Sequence, residues 1–303
     1  MTGERGFALV ITLIISALLV ALATEFIHEV YVETTLNRSF ADAQQASLLA
    51  DSGVTGGTRL LQTLLAGQEY SSLLDQWARP LELPDEKGTL SVKIAEEDGK
   101  INLNSLVFPN GTLTNSQPML LRLFTSLKVP TDLCDAVIDW TDNNDAPRPG
   151  GAETSYYKSL QNPYEAKNAA LETLDELRLI KGFDEKTVGK VAPFVTIYGD
   201  AAAGISSGKV NINTAPLEVL AALEGMNIDL ARRVLEYRKT TPIKSGEITR
   251  IPGLEGIGIG LQNKVTVKGT TFRILSQARV NETTRSVEAV VTLDGKVLYW
   301  REL

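Results

Sequence analysis

The feature that most constrains this chain is an apolar run near its start. The eighteen residues 7–24 contain no charged side chain, and Thr12, Ser16 and Thr24 are their only polar groups. As an α-helix this run would be about 27 Å long, nearly the thickness of the hydrocarbon layer of a bilayer. The run therefore predicts a helix that lies in a membrane, while the rest of the chain folds outside it.

The residues around this run favour a retained anchor over a secretory signal peptide. A signal peptide needs a basic leader, a shorter apolar core and a small-x-small cleavage site. Here the leader carries one acid and one base, Glu4 and Arg5, and no such site ends the run. Beyond Thr24 the three- and four-residue apolar spacing continues to about residue 65 without a breaker, which predicts one long helix that emerges from the membrane. An uncleaved anchor and an anchor that is processed and then kept both remain open.

Composition limits the chemistry of the remainder. A length of 303 residues and 43% apolar residues are sufficient for about two domains with ordinary cores. The net charge of −7 disfavours bulk attraction to nucleic acid. Cys134 is the one cysteine and His28 the one histidine, which excludes an intrachain disulfide, a Ser/His/Asp or Cys/His catalytic site and a His-ligated zinc beyond the anchor.

The chain after the long helix divides into strands, helices and strands again. Alternating residues on both sides of Glu97-Asp98-Gly99 predict a β-hairpin over 88–106. The tail, 271–303, predicts three strands with turns at Asn281-Glu282 and Asp294-Gly295. Between them, residues 113 to about 263 have mostly helical spacing, broken by Gly, Pro and Asn. We therefore expect a helical module inserted into a small α+β domain.

Short internal similarities indicate that this helical module repeats. The segments DLCDAVIDW (132–140) and DLARRVLEY (229–237) are alike, and so are LETLDEL (171–177) and LEVLAAL (217–223). GKINLNS (99–105) matches GKVNINT (208–214), and each predicts a strand that leads into a helix capped by its Ser or Thr hydroxyl.

The segment 139–157, DWTDNNDAPRPGGAETSYY, is the richest in potential ligands. Its prolines and glycines allow the loop to fold back on itself, and its oxygen-bearing side chains suit calcium rather than a soft metal. The spacing does not fit an EF-hand. Two alternatives stay open, a polar surface loop held by Asx-turns and an acid/base pair of the glycosidase kind. Asp139 is interpreted only as a cap or a solvated group. The candidate ligands in the loop are Asp142, Asn144, Asp145 and Glu153.

A second motif lies in 210–239, which resembles the helix-hairpin-helix of competence DNA receptors. That hairpin binds phosphate through backbone amides at a helix N-terminus, ideally with Gly-hydrophobic-Gly, but Asn227 replaces the second glycine here. Residues 209–253 hold seven bases against five acids, leaving +2, which is little for phosphate binding. We expect a structural hairpin and no nucleic acid, and keep a membrane-tethered DNA receptor as the alternative.

The start of the chain resembles the processed signal of type IV pilin-like proteins. A short hydrophilic leader ends in Gly6, and Phe7 begins the apolar run. The resemblance implies that a prepilin peptidase cuts between Gly6 and Phe7 and methylates the new amine. It further implies a single-pass inner-membrane protein with a cytoplasmic N-terminus and a periplasmic bulk.

Ile11 narrows the resemblance to one group. Most pilins and pseudopilins carry Glu at this position, where a buried carboxylate is expensive unless it meets a partner charge. Its absence, together with the inserted helical domain, resembles the K-type minor pseudopilins of type II secretion systems. The resemblance implies a non-enzymatic subunit at the tip of a pseudopilus that initiates or caps assembly and supports protein export, with I-type and J-type minor pseudopilins as partners.

The same resemblance implies a fold, a division of the chain and further ligands. The fold is α+β, with a pilin-like helix and small antiparallel sheet interrupted by a large helical domain. GGAE…YY and the segment after it match the family most specifically, and K-type loops of this kind bind calcium, which adds Asn168 and Glu176 as ligands. The expected divisions are a leader (1–6), an anchor helix (7–24), pilin-like helix and strands (25–110), a helical insert (111–268) and closing strands (269–303).

Overall fold

A computed structural model of the chain describes residues 3–85, 88–108, 112–199 and 208–303. Within these ranges it contains one very long helix, a five-stranded antiparallel sheet and a helical domain that includes two short parallel strand pairs. The predicted α+β class, with a helical domain inserted into a helix-and-sheet domain, is confirmed. Residues 1 and 2 of the predicted leader and residues 109–111 at the predicted domain boundary lie outside the described ranges.

Helix α1, Gly3–Leu65, is the stem of the molecule. Its first half contacts nothing else in the described chain, whereas its second half packs against the sheet through small and apolar residues that begin at Ala46. Gly53 is required at this contact because a Cβ there would lie 2.1 Å from Oγ of Ser276. The alternation of small and large residues therefore lets the helix lie close to the strands.

The sheet has the strand order β1-β2-β7-β8-β9, with every pair antiparallel. Its inner face and the second half of α1 enclose one hydrophobic core, which includes Trp77 packed edge-on against Phe272. The three strands predicted in the tail are confirmed, and so are both of their turns. The strands are β1 (Leu81–Asp85), β2 (Gly88–Glu96), β7 (Thr271–Val280), β8 (Thr283–Thr292) and β9 (Val297–Glu302).

The hairpin predicted around Glu97-Asp98-Gly99 is wrong. Strand β2 pairs with β1 and with β7, and the chain leaves the sheet after Glu96. Ile101 and Leu103, which alternation assigned to a second strand, are buried instead in the core of the helical domain. Two-residue alternation could not distinguish a return strand from a segment that enters another core.

Residues 97–270, which we call the head, are inserted between β2 and β7. Glu96 at the end of β2 pairs with Phe272 at the start of β7, so the chain leaves and returns at neighbouring points. The head core begins with Ile101, earlier in the chain than the expected division at 111. Its helices are α2 (Ser116–Leu127), α3 (Asp132–Thr141), α4 (Thr154–Lys158), α5 (Glu185–Val191), α6 (Leu217–Ala222), α7 (Ile228–Arg238) and α8 (Gly258–Gln262).

The head consists of two similar halves. Each begins with a two-residue strand, continues through a helical hairpin and ends in a strand that pairs in parallel with the first. The helices α3 and α7, which carry the similar sequences DLCDAVIDW and DLARRVLEY, occupy corresponding places. The strand pairs are β3 (Ile101–Asn102) with β4 (Val195–Thr196) and β5 (Val210–Asn211) with β6 (Val265–Thr266).

One asparagine in each half closes the fold in the same way. The amide of Asn104 exchanges hydrogen bonds of 2.8 and 2.9 Å with the backbone of Leu171, and that of Asn213 does so with Ile243 at 2.8 and 2.9 Å. Leu171 therefore corresponds to Ile243, and the predicted match between LETLDEL and LEVLAAL is wrong. Segment 171–177 forms no α-helix but enters the 3₁₀ helix Leu174–Leu179.

The turn after each first strand is capped by asparagine rather than by the predicted hydroxyl. Oδ1 of Asn102 accepts from the backbone N–H of Asn104, and Oδ1 of Asn211 accepts from that of Asn213, both at 2.9 Å. The short amide side chain makes an Asx-turn with the N–H two residues on. The two similar sequences thus form the same turn, but the group that caps it is the side chain of Asn102 or Asn211 and not the Ser or Thr hydroxyl that follows.

Three consecutive acids, Glu96, Glu97 and Asp98, join the head to the stem and sheet, and we call them the junction acids. Glu96 accepts hydrogen bonds from Ser71 at 2.6 Å and from Asn211 at 2.6 Å. Asp98 accepts from the backbone N–H of Thr270 at 3.0 Å, where the chain returns to the sheet. Glu97 forms an ion pair of 2.8 Å with Arg273 of β7. Lys268 adds a further tie by donating from Nζ to the carbonyl oxygens of Leu65 and Gln68 at the end of α1.

Candidate functional sites

The acidic loop, residues 142–153, lies between α3 and α4 in the first half of the head. Two glycines fold it back onto α3. A Cβ at Gly150 would lie 2.7 Å from Cβ of Asp132, and a Cβ at Gly151 would lie 1.9 Å from Oδ2 of Asp139. Because only glycine permits this approach, the end of the loop returns to the helix that starts it and brings Glu153 toward the acids of α3.

Local hydrogen bonds shape the start of the loop. Oδ1 of Asp142 accepts from the backbone N–H of Asn144 at 3.2 Å, and Oδ1 of Asn144 accepts from that of Ala146 at 2.9 Å. Oδ2 of Asp139 accepts from the backbone N–H of Arg148 at 3.0 Å. The Asx-turns predicted for a polar loop are present, and they leave the second carboxylate oxygen of Asp142 without such a bond.

Glu153 is the most unusual residue of the loop. Its side chain is only 2% exposed, and neither of its carboxylate oxygens has a hydrogen-bond partner in the part of the chain that the structure describes. Burial, followed by the charges of Asp139, Asp142 and Asp145, raises the pKa of Glu153 to about 7. A buried carboxylate without donors is costly, so this position requires a proton or a cation.

Asp139 belongs with this group although the sequence indicated only a possible cap. It is fully buried, and burial, together with the charge of Asp142, raises its pKa to about 6. The signal available in the sequence was its position one turn before the loop, on the same face of α3 as Asp135. We call Asp139, Asp142, Asp145 and Glu153 the loop acids.

Two predicted ligands lie outside the loop and have different surroundings. Asn168, whose φ is 48°, donates from Nδ2 to Oδ1 of Asp145 at 3.2 Å, and its own Oδ1 is buried without a partner. Glu176 is fully engaged, because it accepts from the N–H of Thr173 and pairs with Lys167 at 2.9 Å. The structure thus joins Asn168 to the loop and uses Glu176 to cap the 3₁₀ helix Leu174–Leu179.

The fit of these residues to calcium depends on both their chemistry and their spacing. Oxygen donors from carboxylates and amides are what a hard cation prefers. Among the described residues, however, no three acidic, histidine or cysteine side chains converge closely enough to hold a metal ion as they stand. The unpartnered oxygens of Glu153 and Asn168 are the observation that fits a cation, and loop closure around it would require small movements of the side chains.

The helix-hairpin-helix formed by α6 and α7 offers little to phosphate. Gly225, with φ of 80°, makes the hairpin turn, and Asn227 caps α7 by accepting from two backbone N–H groups. Four bases on or near it pair with nearby acids, which reduces the positive charge available to a ligand. These ion pairs are Arg232–Asp229, Lys239–Glu236, Arg250–Glu247 and Lys264–Glu224.

The first half of the stem is the other candidate functional surface. The helix from Phe7 onward contains an apolar stretch of mean hydropathy 2.7 that is long enough to cross a membrane, and none of it is buried. Phe7 is 69% exposed and Ile11 is 39% exposed, so the predicted processing residue and the predicted assembly residue both face outward. The backbone runs as helix through Gly6.

Comparison with known proteins gives a consistent result. Residues 99–200 and 210–268 match two family models described as "Type II secretion system (T2SS), protein K", and these ranges coincide with the two halves of the head. The type II secretion system protein K of Aeromonas hydrophila is 27% identical and covers 99% of this chain and 97% of its own length. That of Pectobacterium carotovorum subsp. carotovorum is 26% identical and covers 97% of this chain and 94% of its own length.

A solved structure has the same fold. A chain of the GspK-GspI-GspJ complex from the enterotoxigenic Escherichia coli type 2 secretion system superposes with a TM-score of 0.70 at 21% identity, covering 88% of this chain and 99% of that chain. The two chains thus share their fold over most of this molecule. The chain belongs to the type II secretion system protein K family.

Proposed function

We propose that this protein is a minor pseudopilin that occupies the tip of a type II secretion pseudopilus, where it initiates or caps assembly and supports protein export. The observation that carries this proposal is the stem. Its apolar first half is exposed on all sides, which is stable only in a membrane or against the stems of other subunits. Family membership supports the secretion system, and Ile11 supports a terminal place because no carboxylate is available there for a further subunit.

We infer that the chain is processed and located as other pilin-like proteins are. Cleavage by prepilin peptidase after Gly6 would leave Phe7 as a methylated N-terminus, with the stem in the inner membrane and the head in the periplasm. Intact mass and N-terminal sequence of the protein from its native host test this. A mature chain that begins at Phe7 and carries one methyl group is expected, and a functional chain that retains residues 1–6 would contradict it.

The partners we propose are I-type and J-type minor pseudopilins. The support is the E. coli relative, which was solved in a complex named for K, I and J chains. One test labels the head of the protein in an assembled pseudopilus. A second test isolates the protein together with the subunits that contact its stem. We expect label at one end only and co-isolation of the I and J subunits. Label distributed along the fibre would exclude a tip subunit.

This role is structural rather than enzymatic. It is supported by membership of the type II secretion system protein K family. We further propose that no nucleic acid is bound, because three of the seven bases in residues 209–253, Arg232, Lys239 and Arg250, are already paired with acids.

We also propose a calcium site in the acidic loop, carried by the unpartnered carboxylate of Glu153. When bound, calcium would supply a divalent charge that about six to eight oxygens can share. The residues that would hold it are Asp142, Asn144, Asp145, Glu153 and Asn168, with Asp139 behind them, while Glu176 stays engaged as a cap. Trp140 and Tyr157 pack against each other next to the loop, with ring centroids 5.1 Å apart.

Terbium provides a direct test of the calcium site. It binds the same oxygen donors and emits when a nearby aromatic ring transfers energy to it, so excitation of Trp140 should give sensitised emission that calcium displaces. Titration of the full-length chain in detergent with calcium should show saturable binding. Absence of both signals would remove the calcium site and leave the secretion assignment untouched.

A further inference from the structure

The acidic loop contains a base of its own, Arg148. Its guanidinium Nε lies 3.5 Å from Oδ1 of Asp139, and Nη2 lies 3.9 Å from Oδ2 of Asp142. In the described part of the chain no other base forms an ion pair with a loop acid. The nearest candidate, Lys181, donates from Nζ to the carbonyl oxygen of Gly151 at 2.8 Å instead.

These two contacts are poor for a structural ion pair. Charge-assisted hydrogen bonds between nitrogen and carboxylate oxygen are typically about 2.7 to 2.9 Å long, and both Arg148 distances exceed this. Nε of Arg148 is buried without a hydrogen-bond partner, and so is Oδ1 of Asp139, although the two atoms are neighbours. The same protein makes a good pair elsewhere, between Arg273 and Glu97 at 2.8 Å. The backbone N–H of Arg148 is hydrogen-bonded to Asp139, but its guanidinium is held near the acids by charge and not by fitted hydrogen bonds.

The charge balance of the loop is also incomplete. There are four loop acids and one guanidinium, which lies within 4 Å of Asp139 and Asp142 only, and Glu153 receives no hydrogen bond from it or from any other described group. Close carboxylates coexist only with a cation or a proton. A single delocalised charge lowers their repulsion but cannot coordinate their oxygens, as a small divalent ion can.

We propose that Arg148 is the internal competitor of the calcium site: its guanidinium holds the loop acids together in the absence of calcium and opposes the incoming cation. This inference rests on the proposed calcium site. It makes Arg148 a residue that sets calcium affinity without being a ligand. Removing its charge therefore has two opposite effects, because the empty loop loses its counter-charge while the ion binds more tightly.

The test compares Arg148→Gln with Arg148→Lys and with Arg250→Gln, which breaks a surface ion pair in the other half of the head. Calcium affinity of each full-length protein in detergent is measured by calorimetry, and thermal unfolding is followed with calcium and with a chelator. We expect Arg148→Gln to bind calcium about tenfold more tightly and to melt lower in chelator. Arg148→Lys and Arg250→Gln should keep affinities close to that of the unaltered protein.

The possible results distinguish the competitor role of Arg148 from the existence of the calcium site. If the unaltered protein binds calcium and Arg148→Gln binds it equally or more weakly, the competitor role is overturned while the site stands. If neither protein binds calcium, the site and the competitor role fail together. Arg148→Gln could fold only when calcium is present. Its calcium affinity is then measured by competition with a chelator, and an affinity equal to that of the unaltered protein overturns the competitor role of Arg148.

Discussion

The junction acids and the loop acids are two groups of largely buried acids with different surroundings. The junction acids each receive donors from the protein: Glu96 from Ser71 and Asn211, Glu97 from Arg273, and Asp98 from backbone N–H groups. The loop acids have one loosely placed base, and Glu153 has no donor at all. Burial of carboxylates is therefore no sign of a metal site by itself. The sign is a buried carboxylate whose oxygens the protein leaves unpaired.

The pKa values of the junction acids and the loop acids differ only in part in the way that their hydrogen bonds do. Burial by itself would raise the pKa of Glu97, yet the charges of Lys100 and Arg273 lower it below its ordinary value. Burial and the charge of Asp98 raise the pKa of Glu96 to about 7, despite its three hydrogen bonds. Glu96 is thus a satisfied group that still prefers its proton, whereas Glu153 prefers its proton for lack of partners.

The largest expected effect is at Glu97. Glu97→Gln removes the fully buried charge that faces Arg273 and Lys100, so the mostly buried guanidinium keeps only Glu288 as its counter-charge. We expect the free energy of unfolding to fall by about 3 kcal/mol or more. Urea unfolding of the full-length protein in detergent measures this. Glu82→Gln on the exposed edge strand β1 is the matched control and should change little, and an equally small effect at Glu97 would show that the junction does not depend on this pair.

Glu96 makes the junction sensitive to pH. In the folded protein it holds its proton up to about pH 7, while the unfolded chain releases it near 4.5. Between these values the folded state binds more protons, so its contribution to stability is greatest at low pH and falls by about 3 kcal/mol as pH rises through the window. Unfolding at pH 5 and pH 8 should therefore differ less in Glu96→Gln than in the unaltered protein. An unchanged difference would mean that Glu96 titrates normally.

The same substitution should have the opposite sign in the loop. Glu153→Gln removes a buried charge that repels three neighbouring acids, so in chelator at pH 8 we expect a gain of about 1 to 2 kcal/mol in stability. The added stability in calcium should shrink, because a carboxylate ligand is lost. Unfolding with and without calcium measures both. If Glu153→Gln is instead less stable than the unaltered protein in chelator, the carboxylate of Glu153 is stabilising without calcium, as those of the junction acids are, and the evidence for a metal site is lost.

Loop closure should depend on Gly151. Gly151→Ala inserts a Cβ where Oδ2 of Asp139 lies, so the end of the loop moves away from α3 and carries Glu153 with it. We expect calcium affinity to fall by about tenfold, measured by calorimetry. Gly56→Ala is the control, since a Cβ there meets nothing within 4 Å. An affinity equal in both variants would show that the ligands do not need this close approach.

The smallest effect is expected at the helix-hairpin-helix. Because Arg232 already pairs with Asp229, Arg232→Ala combined with Arg233→Ala should leave binding to duplex DNA weak and nearly independent of salt. Fluorescence anisotropy over a salt series measures this. A steep salt dependence in the unaltered protein that disappears in the double variant would instead favour the competence-type DNA receptor.

The two acid groups also show where sequence analysis succeeds and fails. Asp142, Asp145 and Glu153 were predicted as ligands because Pro147, Pro149 and the two glycines mark a folded-back loop rich in oxygen donors, and that role stays a prediction. Glu97 and Asp98 were misassigned to a hairpin turn, since Glu97, Asp98 and Gly99 are also turn-forming residues. The sequence indicated a cap at Asp139 and a ligand at Glu176, whereas Asp139 is buried beside the loop and Glu176 caps a 3₁₀ helix. The burial of an acid depends on how the folded chain packs around it, and no local pattern contains that.

Hydrophobic periodicity and turn chemistry act within a few residues, so the stem, the three closing strands and the similar GKINLNS and GKVNINT segments could be recognised from the sequence. Three features required the folded molecule: the pairing of β2 with β7 across the whole head, the correspondence of Leu171 with Ile243, and the presence of donors at the junction acids but not at Glu153. Each of these depends on contacts between residues distant in the chain, and the burial of a polar group is stabilising or costly according to the partner that folding brings to it.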